Sequence, residues 1–121
     1  IQCYKATHKN HPSAVWARAN KYNYDWLHSL LVATAKEYTY RYKKIHATES
    51  GGIINNLSNL PVAMSQATSL NEFRTDIPQC MPIEYKKSDA ISAYRLYYIL
   101  SAFKKILSTF SKRFCQPFFK T

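Results

Sequence analysis

The chain has 121 residues and 14.1 kDa, enough for one hydrophobic core, and 46% hydrophobic against 20% charged residues is too apolar for a disordered chain. Seventeen Lys and Arg against seven Asp and Glu give a net charge of +10 and a pI near 9.6, and aromatics reach 15% with ten Tyr. Such a surface attracts polyanions, because each neutralised phosphate releases condensed counterions. The expected partner is therefore a nucleic acid, with DNA, RNA and anionic membrane all open.

The charge is zoned. Residues 1–48 hold eight Lys/Arg against Asp25 and Glu37, a net +6; residues 49–85 hold Arg74 against Glu49, Glu72, Asp76 and Glu84, a net −3; residues 86–121 hold eight against Asp89, a net +7. Two basic segments flanking an acidic connector suggest one basic face across a groove. No run approaches the length of a membrane-spanning helix and the start lacks a signal peptide's apolar core, so the expectation is a cytoplasmic protein with no transmembrane segment. Ile1-Gln2-Cys3-Tyr4 has no initiator Met and reads as interior sequence: either the start was processed or trimmed, or the chain is a fragment lacking its N-terminal segment. Cys3, Cys80 and Cys115 are odd in number and form no CxxC, which favours reduced thiols over a disulfide framework or a cysteine zinc site.

His11-Pro12-Ser13 opens a short helix over about 12–20, with Pro in the first turn. Asn23 is the expected N-cap of a second helix over about 24–44, whose apolar positions Trp26, Leu27, Leu30, Leu31, Thr34 and Tyr38 recur at helical spacing and should face a core. Cations in its last turn, Arg41-Tyr42-Lys43-Lys44, suit the helix dipole as well as a phosphate, and both readings stand. Glu49-Ser50-Gly51-Gly52 breaks the chain, and a short helix is expected at about 53–59, ended by Pro61. Pro61 to Lys87 reads as a long ordered loop with one helical turn near Leu70–Arg74. Ser88-Asp89 is an N-cap signal for a helix over 90–108, patterned by Ala90, Ile91, Tyr94, Tyr97, Tyr98, Ala102, Ile106 and Leu107. No alternating strand pattern occurs, so the expected fold is all-α: a small single-domain bundle of two long helices and a short N-terminal one.

His8-x-x-His11 with His46 has the residue type for zinc but no fourth ligand; a helix-start or phosphate role for His8 and His11 is the favoured reading, and neither metal nor cofactor is expected. Glu37 lies four residues before Arg41, which makes a helical ion pair the plain reading and a general acid a poor one. No Ser/His/Asp order, P-loop or GxGxxG is present, and whether the chain is an enzyme stays open. In Tyr94-Arg95-Leu96-Tyr97-Tyr98 aromatics interleave with a cation, as suits stacking on unpaired bases; Tyr94 and Tyr98 are read as core and Tyr97 as the more open ring.

Several separated blocks resemble a group of small proteins of marine bacteriophages: His8-Lys9-Asn10-His11-Pro12-Ser13-Ala14-Val15-Trp16, Asn23-Tyr24-x-Trp26-Leu27, Glu37-Tyr38-Thr39-Tyr40-Arg41-Tyr42-x-Lys44-x-His46, Met81-Pro82-x-Glu84-Tyr85-Lys86 and Ala93-Tyr94-Arg95-x-Tyr97-Tyr98. That group is distantly similar to the pyrimidine-dimer DNA glycosylases, small all-helical repair enzymes. The resemblance implies an all-helical DNA-binding protein of phage DNA repair or modification, acting in the cytoplasm of an infected cell. The family's chemistry uses an N-terminal α-amine nucleophile and a Glu early in the chain; nothing here matches that segment, so no catalytic residue is carried over. The relatives end in a Trp-containing basic stretch and Pro-x-Trp-Phe, whereas this chain has Phe110-Ser111-Lys112-Arg113 and Pro117-Phe118-Phe119.

The resulting expectation is a nucleic-acid-binding helical domain. Arg18, Lys21, Arg41, Lys43, Lys44, Arg95, Lys104 and Lys105 grip phosphates, and Tyr97 with Phe118 or Phe119 stacks near a distorted base pair. The alternatives are a non-enzymatic phage interaction protein that binds a host protein or RNA through the same surface, and peripheral membrane binding through the cationic, Phe-rich stretch from Phe103 to Phe119.

Overall fold

The computed structural model describes residues 4–65 and 72–114, with side chains to residue 108. Its elements in chain order are α1 (Pro12–Ala17), α2 (Lys21–Tyr42), α3 (Ala47–Ser50), α4 (Ile53–Leu57), α5 (Val62–Ser65), a 3-10 turn (Ile83–Tyr85) and α6 (Ala90–Phe114). With no strand among the described residues, the fold class is all-α. Contacts divide the chain into two compact units, Ile1–Pro78 and Gln79–Thr121, and each holds one of the two long helices.

In the first unit His11 caps α1 by accepting from Ser13 N at 3.2 Å, and Pro12 follows in the first turn. The helix stops at Ala17, earlier than the expected 20, because Asn20 is already extended (φ −155°, ψ 166°) as the N-cap of α2. The expected cap, Asn23, lies inside the first turn of α2; Asn20 Oδ1 accepts from Asn23 N at 2.8 Å. Asn23 itself is fully buried, and its amide reaches across to two other segments. Its Nδ2 donates to Trp16 O and to Thr75 Oγ1, both at 2.9 Å, while its Oδ1 accepts from Thr75 N at 2.9 Å. One side chain thereby ties α1, α2 and the irregular segment after residue 72 together.

α4 is hung on α2 by two polar bonds: Tyr24 Oη donates to Leu57 O at 2.7 Å, and His28 Nε2 donates to Ile54 O at 2.9 Å. The two glycines shape the turn that allows this. A Cβ on Gly51 would lie 2.9 Å from Ala47 O, and Gly52 has φ 75°. Trp16 packs edge-on to Trp26 with centroids 5.7 Å apart, and the Arg74 guanidinium lies 5.3 Å from the Trp26 ring.

The apolar stripe of α2 is only partly covered, contrary to its expected place in a core. Leu27 and Leu30 are 40% and 46% exposed and, with Ala17, Leu31, Thr34 and Leu57, line an open apolar groove of about 480 Å³. The reason is length: α1 and α4 have six and five residues, too few to roof a 22-residue helix of about six turns.

In the second unit Gln79 closes a loop by donating to Lys87 O at 2.6 Å and accepting from Lys87 N at 2.9 Å. Asp89 then caps α6, its carboxylate accepting from Ser92 N at 2.9 Å and Ser92 Oγ at 2.8 Å. α6 runs to Phe114, past the expected 108, since the sequence offers no Gly or Pro before Pro117. The 3-10 turn packs on α6, with Tyr85 against Tyr97, and Ala93 on the same helix is completely buried. Of the turn expected at Leu70–Arg74, residues 72–74 are not helical and the remainder lies outside the described residues.

The bonds from Ser92 hold the Asp89 carboxyl below the ordinary aspartate range. A depressed carboxyl stabilises the fold above its unfolded value and loses that contribution as pH falls through the folded one. Asp89→Ala should lower the urea midpoint at neutral pH and erase its own part of the acid-side decline, as read by circular dichroism at a series of pH values. An unchanged midpoint would mean that the cap contributes nothing.

Candidate nucleic-acid interface

The expected phosphate-binding cations are divided between the two units, and local partners engage most of them. In the first unit Arg18 donates to Lys9 O at 2.7 Å, Lys21 lies 3.9 Å from Asp25, and Arg41 is bonded to Glu37 one turn earlier. That bond and the negative charge of Glu37 raise the Arg41 pKa. The helical ion pair read from the sequence is therefore present.

The end of α2 has a different character. Lys43 closes the helix in the left-handed region, φ 54°, with its N–H donating to Thr39 O at 2.9 Å. Glycine or asparagine ordinarily fills such a position, since a Cβ is strained there. The Lys43 ammonium lies 4.7 Å from the centroid of Tyr40, whose ring is 72% exposed. Tyr42 is 61% exposed and leans on Tyr38 at 4.8 Å; Tyr38 in turn meets His46 edge-on at 4.8 Å. His46 caps α3 by accepting from Thr48 N at 3.2 Å. Lys44 is exposed beyond the helix end. The result is two open phenol rings and two exposed lysines within five residues at one helix end, with Lys43 beside Tyr40.

His8 and His11 both lie at the start of α1, His8 at φ 52° with its carbonyl accepting from His11 N at 2.9 Å. The rings of His11 and His46 cap α1 and α3, and His8 contributes its carbonyl; among the described residues no three His, Cys, Asp or Glu side chains gather in a metal-binding group.

In the second unit the order of the tyrosines is the reverse of the one expected. Tyr97 is half-buried and packs edge-on to Tyr85 at 5.3 Å, whereas Tyr98, expected in the core, is 67% exposed. The cause is the 3-10 turn, which selects the face that bears Ala93 and Tyr97, four residues apart. Tyr94 is half-buried as expected, its Oη accepting from Cys80 N at 3.1 Å, and burial raises its phenol pKa. Lys104 Nζ donates to Tyr85 Oη at 2.6 Å, a bond that raises the ammonium's pKa. Arg95 and Lys105 are exposed on the same helix, and Phe118 and Phe119 lie outside the described residues.

The sequence pattern does not single out the exposed Tyr40 and Tyr42: Tyr40 falls off the stripe of Trp26, Leu31 and Tyr38, whereas Tyr42 continues it one turn after Tyr38 at the helix end. The chain matches no family model, no curated protein and no solved structure.

Proposed function

We propose that the protein binds nucleic acid through the end of α2, with Lys43 and Lys44 on phosphates and Tyr40 and Tyr42 offering rings to unpaired or distorted bases. What supports the reading is the strained turn at Lys43, which sets a lysine where glycine is the relaxed choice and keeps its ammonium beside an open tyrosine. Rings that stack on bases and cations that hold the backbone are the two components of single-strand recognition. The net charge of +10 adds long-range attraction. The sequence resemblance to phage proteins and, more remotely, to pyrimidine-dimer glycosylases directs the choice of substrate toward damaged DNA.

The test is a salt-titrated binding assay on three ligands: duplex DNA, the same duplex with one cyclobutane pyrimidine dimer, and single-stranded RNA of equal length. Lys44→Ala should reduce the slope of log affinity against log salt by about 0.7–0.9 for the lost phosphate contact. Tyr40→Ala should weaken binding to unpaired or lesion-bearing sites by about tenfold, within the range for one base stack, while leaving the slope unchanged. Preference for the dimer would carry the reading toward repair; equal binding to all three would leave a general nucleic-acid binder. No salt-dependent binding to any of them would overturn the proposal.

A further inference from the structure

α6 carries a second surface that owes nothing to the end of α2. Ile99, Leu100, Phe103, Ile106 and Leu107 are separated by three and four residues and so share one face, and they are 62%, 38%, 61%, 53% and 59% exposed. Ala93, Tyr94 and Tyr97 form the packed face, which Leu100, seven residues after Ala93, borders. The stripe runs beside that face and on past it as an exposed apolar band along the helix.

Charge decides what covers it. α6 includes Arg95, Lys104, Lys105, Lys112 and Arg113 and no carboxylate, and the sequence holds no Asp or Glu after Asp89. A second copy would bring the same cations against themselves. Arg95, four residues before Ile99, flanks one edge of the stripe; Lys104, four after Leu100 and three before Leu107, flanks the other. Cations at both edges of an apolar band can reach up to anionic headgroups while the band sits below them. The band, with Ile99 beside Leu100 and Ile106 beside Leu107, is wider than a coiled-coil seam. No helix among the described residues is long and apolar enough to cross a membrane, so the geometry is that of a helix lying in the interface.

We infer that α6 docks on an anionic lipid surface, burying Ile99, Leu100, Phe103, Ile106 and Leu107 among the headgroups with Arg95 and Lys104 at the edges of the band, on lipid phosphates and carboxylates. This surface is distinct from the end of α2, and each can fail without the other.

The experiment is flotation of the full chain with vesicles of phosphatidylcholine alone and of phosphatidylcholine with phosphatidylserine. Binding should require the anionic lipid and fall with salt. Phe103→Ser with Leu107→Ser should lower the partition coefficient by at least ~tenfold, given the apolar area withdrawn. Arg95→Glu should lower it by at least ~fivefold, given the worth of a cation at such a surface. All three positions are exposed, so urea midpoints near the parent's should accompany both losses. Equal flotation on neutral vesicles would overturn the inference. So would no flotation on either, in which case concentration-dependent sedimentation would assign the band to a second copy. Variants that lose RNA or DNA affinity but keep vesicle binding would also overturn it, giving the α6 cations to nucleic acid.

Discussion

Asn23→Ala is expected to be the most destabilising single substitution in the first unit, at about 2–4 kcal/mol. The amide is fully buried and makes three bonds of 2.9 Å to Trp16 O, Thr75 Oγ1 and Thr75 N. Truncation leaves a carbonyl and an N–H without their partner in a site that water does not readily enter, and that desolvation penalty exceeds the net worth of the bonds. Asn20→Ala is the control: it removes one cap bond, at about 1 kcal/mol. Urea unfolding followed by helical circular dichroism should therefore show a shift two or more times larger for Asn23. Asn23→Asp adds a signature of its own. A buried carboxylate facing Trp16 O has its pKa raised by desolvation, so its destabilisation is greatest above that raised value and eases as pH falls through it. Equal midpoints for the Asn20 and Asn23 variants would remove the clamp from the account of this fold.

The same residue marks how far the fold was legible. The sequence carries two asparagines three apart ahead of a helix, and capping preference alone does not choose between them. The choice was made by Thr75, 52 residues away, and no local rule reaches that far. The helices α1, α2, α4 and α6 are readable because periodicity, Pro12, Gly51-Gly52 and Asp89 are local signals that lie where elements start or stop. The one-turn helices α3 and α5 and the 3-10 turn are too short to carry a period, and α5 and the 3-10 turn lie within the segment read as a loop from Pro61 to Lys87. What the pattern did not reveal was which stripe finds a cover. Leu27 and Leu30 have the spacing of a core and line an open groove; Tyr97 and Tyr98 are adjacent, and only the 3-10 turn at Ile83–Tyr85 decides which of them is packed. The site fared similarly. Arg41, Lys43 and Lys44 were visible as a basic cluster, but the ion pair that occupies Arg41, the left-handed turn at Lys43 and the exposure of Tyr40 are properties of one helix end in three dimensions.

Lys43→Gly should move stability and binding in opposite directions. With φ at 54°, Lys43 occupies a conformation that costs an L residue about 1–2 kcal/mol, whereas glycine adopts it freely and is the common choice just past a helix end. The substitution also removes the ammonium 4.7 Å from the Tyr40 ring, an exposed contact worth about 0.5–1 kcal/mol. The balance is a net gain of up to about 1.5 kcal/mol, read as a higher urea midpoint with unchanged helix content. If the turn exists to present a cation, that more stable protein should bind nucleic acid less well, with the salt slope reduced by about 0.7–0.9. Lys43→Asn separates backbone from charge: asparagine tolerates the left-handed region yet carries no cation, so its slope should match glycine's while its stability lies between glycine and lysine. Should both variants gain stability and keep the parent's affinity and slope, the strain at Lys43 would have no part in binding, and the phosphate contact would have to be sought elsewhere.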